Sequence, residues 1–119
     1  MSQNFQAGDF LIFQVESGYG LLRILAVDAI DGEKVWHLAA YNELFLDVET
    51  ADAALAFPQS LTISIPHVAL TNRAFEATQV ARMSNVSLDD AELKPLNDWR
   101  LDSNAEISDR SIRLMMGLR

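Results

Sequence analysis

A chain of 119 residues, half of them hydrophobic and 22% charged, has room for one domain with a core that needs no cross-links. It has no cysteine, which excludes disulfides, thiolate nucleophiles and cysteine-ligated metal centres. Its net charge of −8 disfavours contact with phosphate backbones and favours basic partners, so nucleic acid is not expected as a ligand.

Met1 to Ala7 carry neither a basic n-region nor an apolar h-region, so no signal peptide is expected. No apolar run reaches the ~20 residues a bilayer needs, and Arg23 interrupts the strongest one. The expectation is a soluble, cytoplasmic protein with no membrane partner.

Residues 9–15 and 19–29 read as a hairpin. Apolar side chains occupy both alternating sets of the first strand, as in a strand buried on two sides. Ser17, Gly18 and Gly20 supply turn freedom, and Asp31-Gly32 marks the next turn. Residues 33–41 complete a β-meander over 9–41, with Val35, His37, Ala39 and Tyr41 on one face and Trp36, Leu38 and Ala40 on the other.

Residues 47–86 form a mixed α/β stretch. Alanine-rich 47–57, with acidic residues early, suits a helix ended by Pro58, although a strand is an alternative. Leu61–Ile65 alternates as a strand that Pro66 closes or marks as a sheet edge, and His67–Thr71 can continue it. Thr78–Met83 reads as a further strand. Residues 88–94 look like a short helix capped by Ser87 and stopped by Pro95. Residues 102–106 read as a linker, and 109–116 as a C-terminal helix capped by Ser108 and closed by Gly117. The fold expected for residues 1–119 is a single α+β domain. It would hold a small, strongly bent antiparallel sheet or SH3-like partial barrel with two or three short helices.

Gly8-Asp9-Phe10-Leu11-Ile12-Phe13, then Gly18-Tyr19-Gly20 and Arg23-Ile24-Leu25, resemble the opening of the Imm26 family of bacterial polymorphic-toxin immunity proteins. The pattern is also similar to the first hairpin of SH3-like barrels. The resemblance is confined to residues 8–25 and implies a small β-rich protein that binds and blocks a toxin. It implies no catalytic residue.

Most catalytic constellations are missing. His37 and His67 show no metal-ligand spacing, and His37, between Trp36 and Leu38, reads as a core histidine. There is no Gly-x-Ser-x-Gly elbow and no phosphate-binding glycine loop. No cofactor and no metal are expected, and the balance leans away from an enzyme. Glu43, Asp47, Glu49 and Asp52 form one acidic cluster and Asp89, Asp90 and Glu92 another, where helix starts want negative charge.

Two surfaces remain. The acidic cluster Glu43, Asp47, Glu49 and Asp52 and the basic–apolar tail with Arg110, Arg113, Met115 and Met116 are candidate protein interfaces. The tail would dock on a second copy of the acidic chain or cover its own sheet. The expected function is non-enzymatic protein binding, with an immunity-type inhibitor as its sharpest form. One alternative is a small-ligand binder or enzyme with a pocket lined by Tyr19, Trp36, His37 and Tyr41 between sheet and helices. Another is a subunit of a larger assembly.

Overall fold

A computed structural model describes residues 4–118. The strands are β1 (Asp9–Val15), β2 (Gly18–Ile30), β3 (Glu33–Tyr41), β4 (Ile63–Thr71) and β5 (Val80–Asn85). The helices are α1 (Val48–Ala54), α2 (Asn72–Glu76), α3 (Asp90–Leu101) and α4 (Ile112–Met115), with a 3-10 turn at Pro58–Ser60. All five strands pair antiparallel in the order β4-β3-β2-β1-β5. The sheet is open, with β4 and β5 at opposite edges. This is the expected α+β class, with four helices instead of two or three.

The β2–β3 hairpin turns on Asp31 and Gly32, both at positive φ (53° and 82°), between the paired residues Ile30 and Glu33. Such a turn matches the right-handed twist of the flanking strands. Gly8 also has positive φ, and a Cβ there would stand 2.8 Å from the Val86 carbonyl oxygen. The close approach has a reason. The amide of Val86 donates to the Gly8 carbonyl, and Gly8 donates to Ile24, so the chain start is clamped between β2 and the end of β5.

The two charged residues of the opening motif are both buried. Asp9 accepts from the Gln6 amide (2.9 Å), Asn85 (2.8 Å) and Arg82 (2.9 Å). Burial raises the Asp9 carboxyl, but the bonds from Asn85, Gln6 and Arg82 outweigh it and hold the group below its usual range. Arg23 lies over the Phe10 ring, 4.2 Å from its centre. It donates to both carboxylate oxygens of Glu92 (3.0 and 3.2 Å) and to the Gly8 and Ser87 carbonyls. One side chain of β2 thereby fixes the chain start, the loop before α3 and α3 itself.

Alternation along the strands divides the core between two faces. On one, Leu11, Phe13, Leu22, Ile24, Trp36, Leu38 and Leu70 pack under α2 and α4. Trp36 stacks on Phe75 of α2 (3.9 Å between centres, 11° between planes), and its indole N–H donates to Asn72. On the other, Phe10, Ile12, Leu21 and Tyr41 meet Ala51 of α1, and Leu25 and Ala39 meet Leu96 of α3.

Several boundaries differ from the sequence reading. β4 starts at Ile63 instead of Leu61, and of the two readings of Pro66 the sheet-edge one holds: β4 runs on to Thr71 as an edge strand, where a missing N–H is tolerated. α2 is not expected from sequence, because Thr71 ends β4 and also caps the helix by accepting from the Ala74 amide. The strand expected over 78–83 is shifted to β5.

Helix α3 starts later than expected and runs through Pro95. Its cap is Asp89, in a reciprocal box with Glu92, while Ser87 gives only its carbonyl to Arg23. Pro95 removes the bond to the Ala91 carbonyl. The helix continues because Glu92 on one side and buried Leu96 on the other anchor it to the sheet. α4 is capped by Ser111, not Ser108, whose backbone instead bridges to β4 beside Leu70. Gly117 closes it at φ 70°, with Leu118 and Gly117 donating to the Arg113 and Leu114 carbonyls.

Arg23→Met leaves Glu92 facing the interior without its partner and is expected to cost on the order of 3 kcal/mol in urea unfolding. The double variant Arg23→Met with Glu92→Met should recover much of that loss, because it removes the stranded charge. Equal losses in the single and double variants would refute the assignment.

Candidate functional site

Two irregularities in strand pairing create the most unusual group of side chains. In the β2–β3 ladder Ile24 faces Leu38 and Ala26 faces His37, so Leu25 is an inserted residue. Leu25 and Ala26 consequently both pack toward α3. The phase of β2 shifts by one residue, and Asp28 comes to the face that carries His37. In the β3–β4 ladder Leu38 faces Val68 and Ala40 faces Ile65, which leaves Pro66 and His67 opposite Ala39 alone. This second bulge turns His67 to the same face.

The result is a chain of contacts across three strands. Asp28 Oδ2 lies 2.9 Å from His37 Nε2, and His37 Nδ1 lies 2.9 Å from His67 Nε2. Arg100 of α3 donates to both oxygens of Asp28 (2.9 and 3.0 Å). The Trp99 ring meets His37 edge-on at 4.9 Å and tilts against His67 at 5.7 Å. His37 is fully buried.

Charge fixes the direction of this chain. Burial raises the Asp28 carboxyl, and the Arg100 bonds more than offset that, with His37 adding to the effect; Asp28 stays ionised. An ionised carboxylate only accepts, so His37 donates from Nε2. Burial holds His37 below its ordinary value despite the pull of Asp28, so it is neutral and its Nδ1 accepts. His67 is pushed down to about 4 by burial, by His37 and by Arg100. It donates from Nε2 and keeps a lone pair on Nδ1. His67 lines a cleft of about 490 Å³ with Trp99, Asn104, Glu106 and Arg110.

The four residues expected to line one pocket are not brought together. Neighbours on a strand point to opposite faces, so Trp36 packs against Phe75 while His37 faces Trp99. Tyr19 and Tyr41 belong to the cluster around Phe10 and Ala51, away from the His37–Trp99 group. Burial pushes the Tyr41 phenol up to about 12, so it stays protonated.

The C-terminal tail covers its own sheet. Ile112 is buried, and Met115 and Met116 pack against the Trp36 side of the core. The two methionines are thus core-covering residues and not a presented interface. Arg110 is exposed, Arg113 is half-buried, and Arg119 lies outside the described residues.

The acidic cluster is where the sequence places it. Asp47 caps α1, accepting from the Thr50 amide (2.7 Å) and hydroxyl (2.6 Å), and these bonds lower its carboxyl. Glu43 accepts from the Thr62 amide (2.8 Å). Burial raises the Glu43 carboxyl, and the contacts with Thr62 together outweigh it, leaving the group below its usual range. Glu49 and Asp52 are exposed. Between Lys34 and Arg73 there is no lysine or arginine. The same segment exposes apolar side chains: Leu46 is 86% exposed and Phe57 65%, with Leu44 and Val48 also open.

Sequence reasoning missed Asp28, Trp99 and Arg100, because no local signal announces a bulge. It also missed Leu44, Leu46 and Phe57, though their position within a cation-free acidic stretch was a readable signal. Among the described residues no group of three or more histidine and carboxylate side chains is placed to hold a metal ion, and no helix is long and apolar enough to cross a membrane. Comparison of the chain with protein-family models, curated proteins and solved structures gives no match.

The neutral histidine pair makes stability depend on pH. In the unfolded chain both histidines take up a proton below about 6.5. In the folded protein His67 does so only near 4 and His37 also below its ordinary value. The unfolded state then binds more protons, so stability is full above pH 6.5 and falls as pH drops toward 4, by up to about 1.4 kcal/mol per pH unit for each histidine. Urea midpoints at pH 7, 6 and 5 should fall more steeply for the natural protein than for His67→Gln. Identical slopes would refute the neutral assignment of His67.

Proposed function

We propose that this chain is a non-enzymatic protein-binding domain that meets a basic partner through residues 43–57. The observation that carries this reading is the coincidence of exposed Leu46 with Glu43, Asp47, Glu49 and Asp52 in a stretch that holds no cation. An apolar anchor ringed by like charge suits a partner with an apolar recess and a basic rim. The acids would speed encounter and select the partner, and the leucine would supply affinity. An inhibitor that blocks the basic groove of a toxin is one form of such a domain. The opening hairpin's resemblance to immunity proteins supports that form.

A small-ligand binder or enzyme is the second reading. The unshared lone pair of His67, held in one direction by His37 and Asp28 beside Trp99, favours it. The two readings use different residues and separate cleanly.

Immobilised natural protein and two variants would be exposed to lysate of the native host at low and high salt. One variant is Leu46→Asp. The other is Asp47→Asn with Glu49→Gln and Asp52→Asn, which keeps the helix cap while removing charge. The expected result is a basic protein held at low salt, released at high salt, and held about tenfold more weakly by each variant. Circular dichroism should be unchanged. Retention indifferent to both variants and to salt would overturn the proposal.

A further inference from the structure

Tyr41 is 5% exposed, and its hydroxyl makes no hydrogen bond among the described residues. Among the buried and half-buried side chains described, the unpaired polar atoms sealed from solvent are Thr78 Oγ1 and Arg113 Nε. The Tyr41 hydroxyl is unpaired and not sealed, so it opens to water. Burial pushes this phenol up to about 12, with Arg23 pulling it down and Glu92 and Asp89 pushing it up. Those three charged side chains line one cavity of about 350 Å³, and Tyr41 lines it with them. The hydroxyl therefore faces that cavity. We propose that the cavity binds a small organic amine, its ammonium group held between Asp89 and the Tyr41 hydroxyl and its apolar body against Leu61, Ile63 and Val86.

The fold holds both polar groups in place. Tyr41 ends β3, faces Ile63 across the ladder and stacks on Phe10, with 6.0 Å between ring centres. Asp89 caps α3: its Oδ1 accepts from the Glu92 amide (2.8 Å), and the Glu92 carboxylate is gripped by Arg23. Buried Phe10 and Arg23 back the cavity, and Leu61, Ile63 and Val86 give it apolar walls. Buried polar groups are ordinarily paired. A buried tyrosine that keeps its hydroxyl unpaired at an apolar-walled cavity offers a ligand one oriented polar contact.

Charge selects the ligand. Both oxygens of Glu92 accept from Arg23, so these two charges offset each other. Asp89 meets no cation, and its second oxygen accepts no bond among the described residues. The lining is left with one uncompensated negative charge, which repels an anion. An ammonium group only donates, and the Asp89 carboxylate and the phenol oxygen both accept. The volume suits a body about the size of one ring. The site uses none of the residues of the proposed protein interface.

The test uses the full chain at pH 7 and constant ionic strength. Phenethylamine is titrated while backbone amides are followed by NMR, with phenethyl alcohol as the uncharged control. The expected result is saturable shifts at Tyr41, Leu61, Ile63 and Asp89 with the amine, and binding at least tenfold weaker for the alcohol. Asp89→Asn keeps a side chain that caps the helix and removes the charge. Tyr41→Phe keeps the ring and removes the hydroxyl. Each should weaken amine binding about tenfold, because each loses a hydrogen bond to a charged group. No saturable shifts at these residues, equal binding of amine and alcohol, or unchanged amine binding in either variant would overturn the proposal.

Tyr41→Phe also reads out without any ligand. The hydroxyl it removes has no partner in the fold, so the unfolding midpoint should hold. A clear fall in that midpoint would show that the hydroxyl is bonded within the protein, and the proposal would fail.

Discussion

The guanidinium of Arg23 holds together parts of the chain that hydrophobic packing alone leaves independent. It sits in the second strand of the sheet, covered by Phe10 and sealed from water. Its five donors have only protein to meet, and they meet the Gly8 carbonyl, the Ser87 carbonyl and the Glu92 carboxylate. A buried charge of this kind is costly unless every partner is in place. The fold therefore closes with the chain start, the loop before α3 and the first turn of α3 in one arrangement. Asp9, paired with Arg82 and Asn85 of β5, repeats the logic on the neighbouring strand. Gly8, Asp9 and Arg23 thus all act inside the fold.

Once α3 is docked, its far end completes a second polar group. Trp99 and Arg100 reach His37 and Asp28 only because the helix continues past Pro95. The bulges at Leu25 and at Pro66–His67 supply the other half, by changing which side chains share a face. Asp28, ionised and clamped by Arg100, sets the tautomer of His37, which sets that of His67. A row of ordinary strand residues thus becomes a directed chain that ends in one lone pair at a cleft.

The surface divides the remaining charge unevenly. Arg23, Arg73, Arg82, Lys94 and Arg100 are all engaged with carboxylates. None of these contacts reaches residues 43–57, so among the described residues that segment's acids form no ion pair and lie beside exposed leucine and phenylalanine. The tail, the other basic and apolar stretch, is spent on covering the sheet, since Ile112, Met115 and Met116 fill the layer above Trp36. This contrast separates a surface used for folding from one that stays exposed.

The meander, the Asp31-Gly32 turn, the start of α1 in an acidic stretch and the burial of both faces of β1 were legible in the sequence. Each rests on a local rule: alternation, a positive-φ turn pair, or negative charge at the start of a helix. The core role of His37 was legible for the same reason, from its apolar neighbours. What the sequence could not show is which distant residues meet. Strict alternation places Asp28 opposite Leu25, and Pro95 normally ends a helix; both expectations fail because tertiary contacts outweigh a local preference worth a few kcal/mol. The meeting of His37 with His67 and the ionised Asp28 behind them follow from register, whereas alternation alone puts Trp36 on the other face. Register is a property of strand pairing, and a single inserted residue changes it.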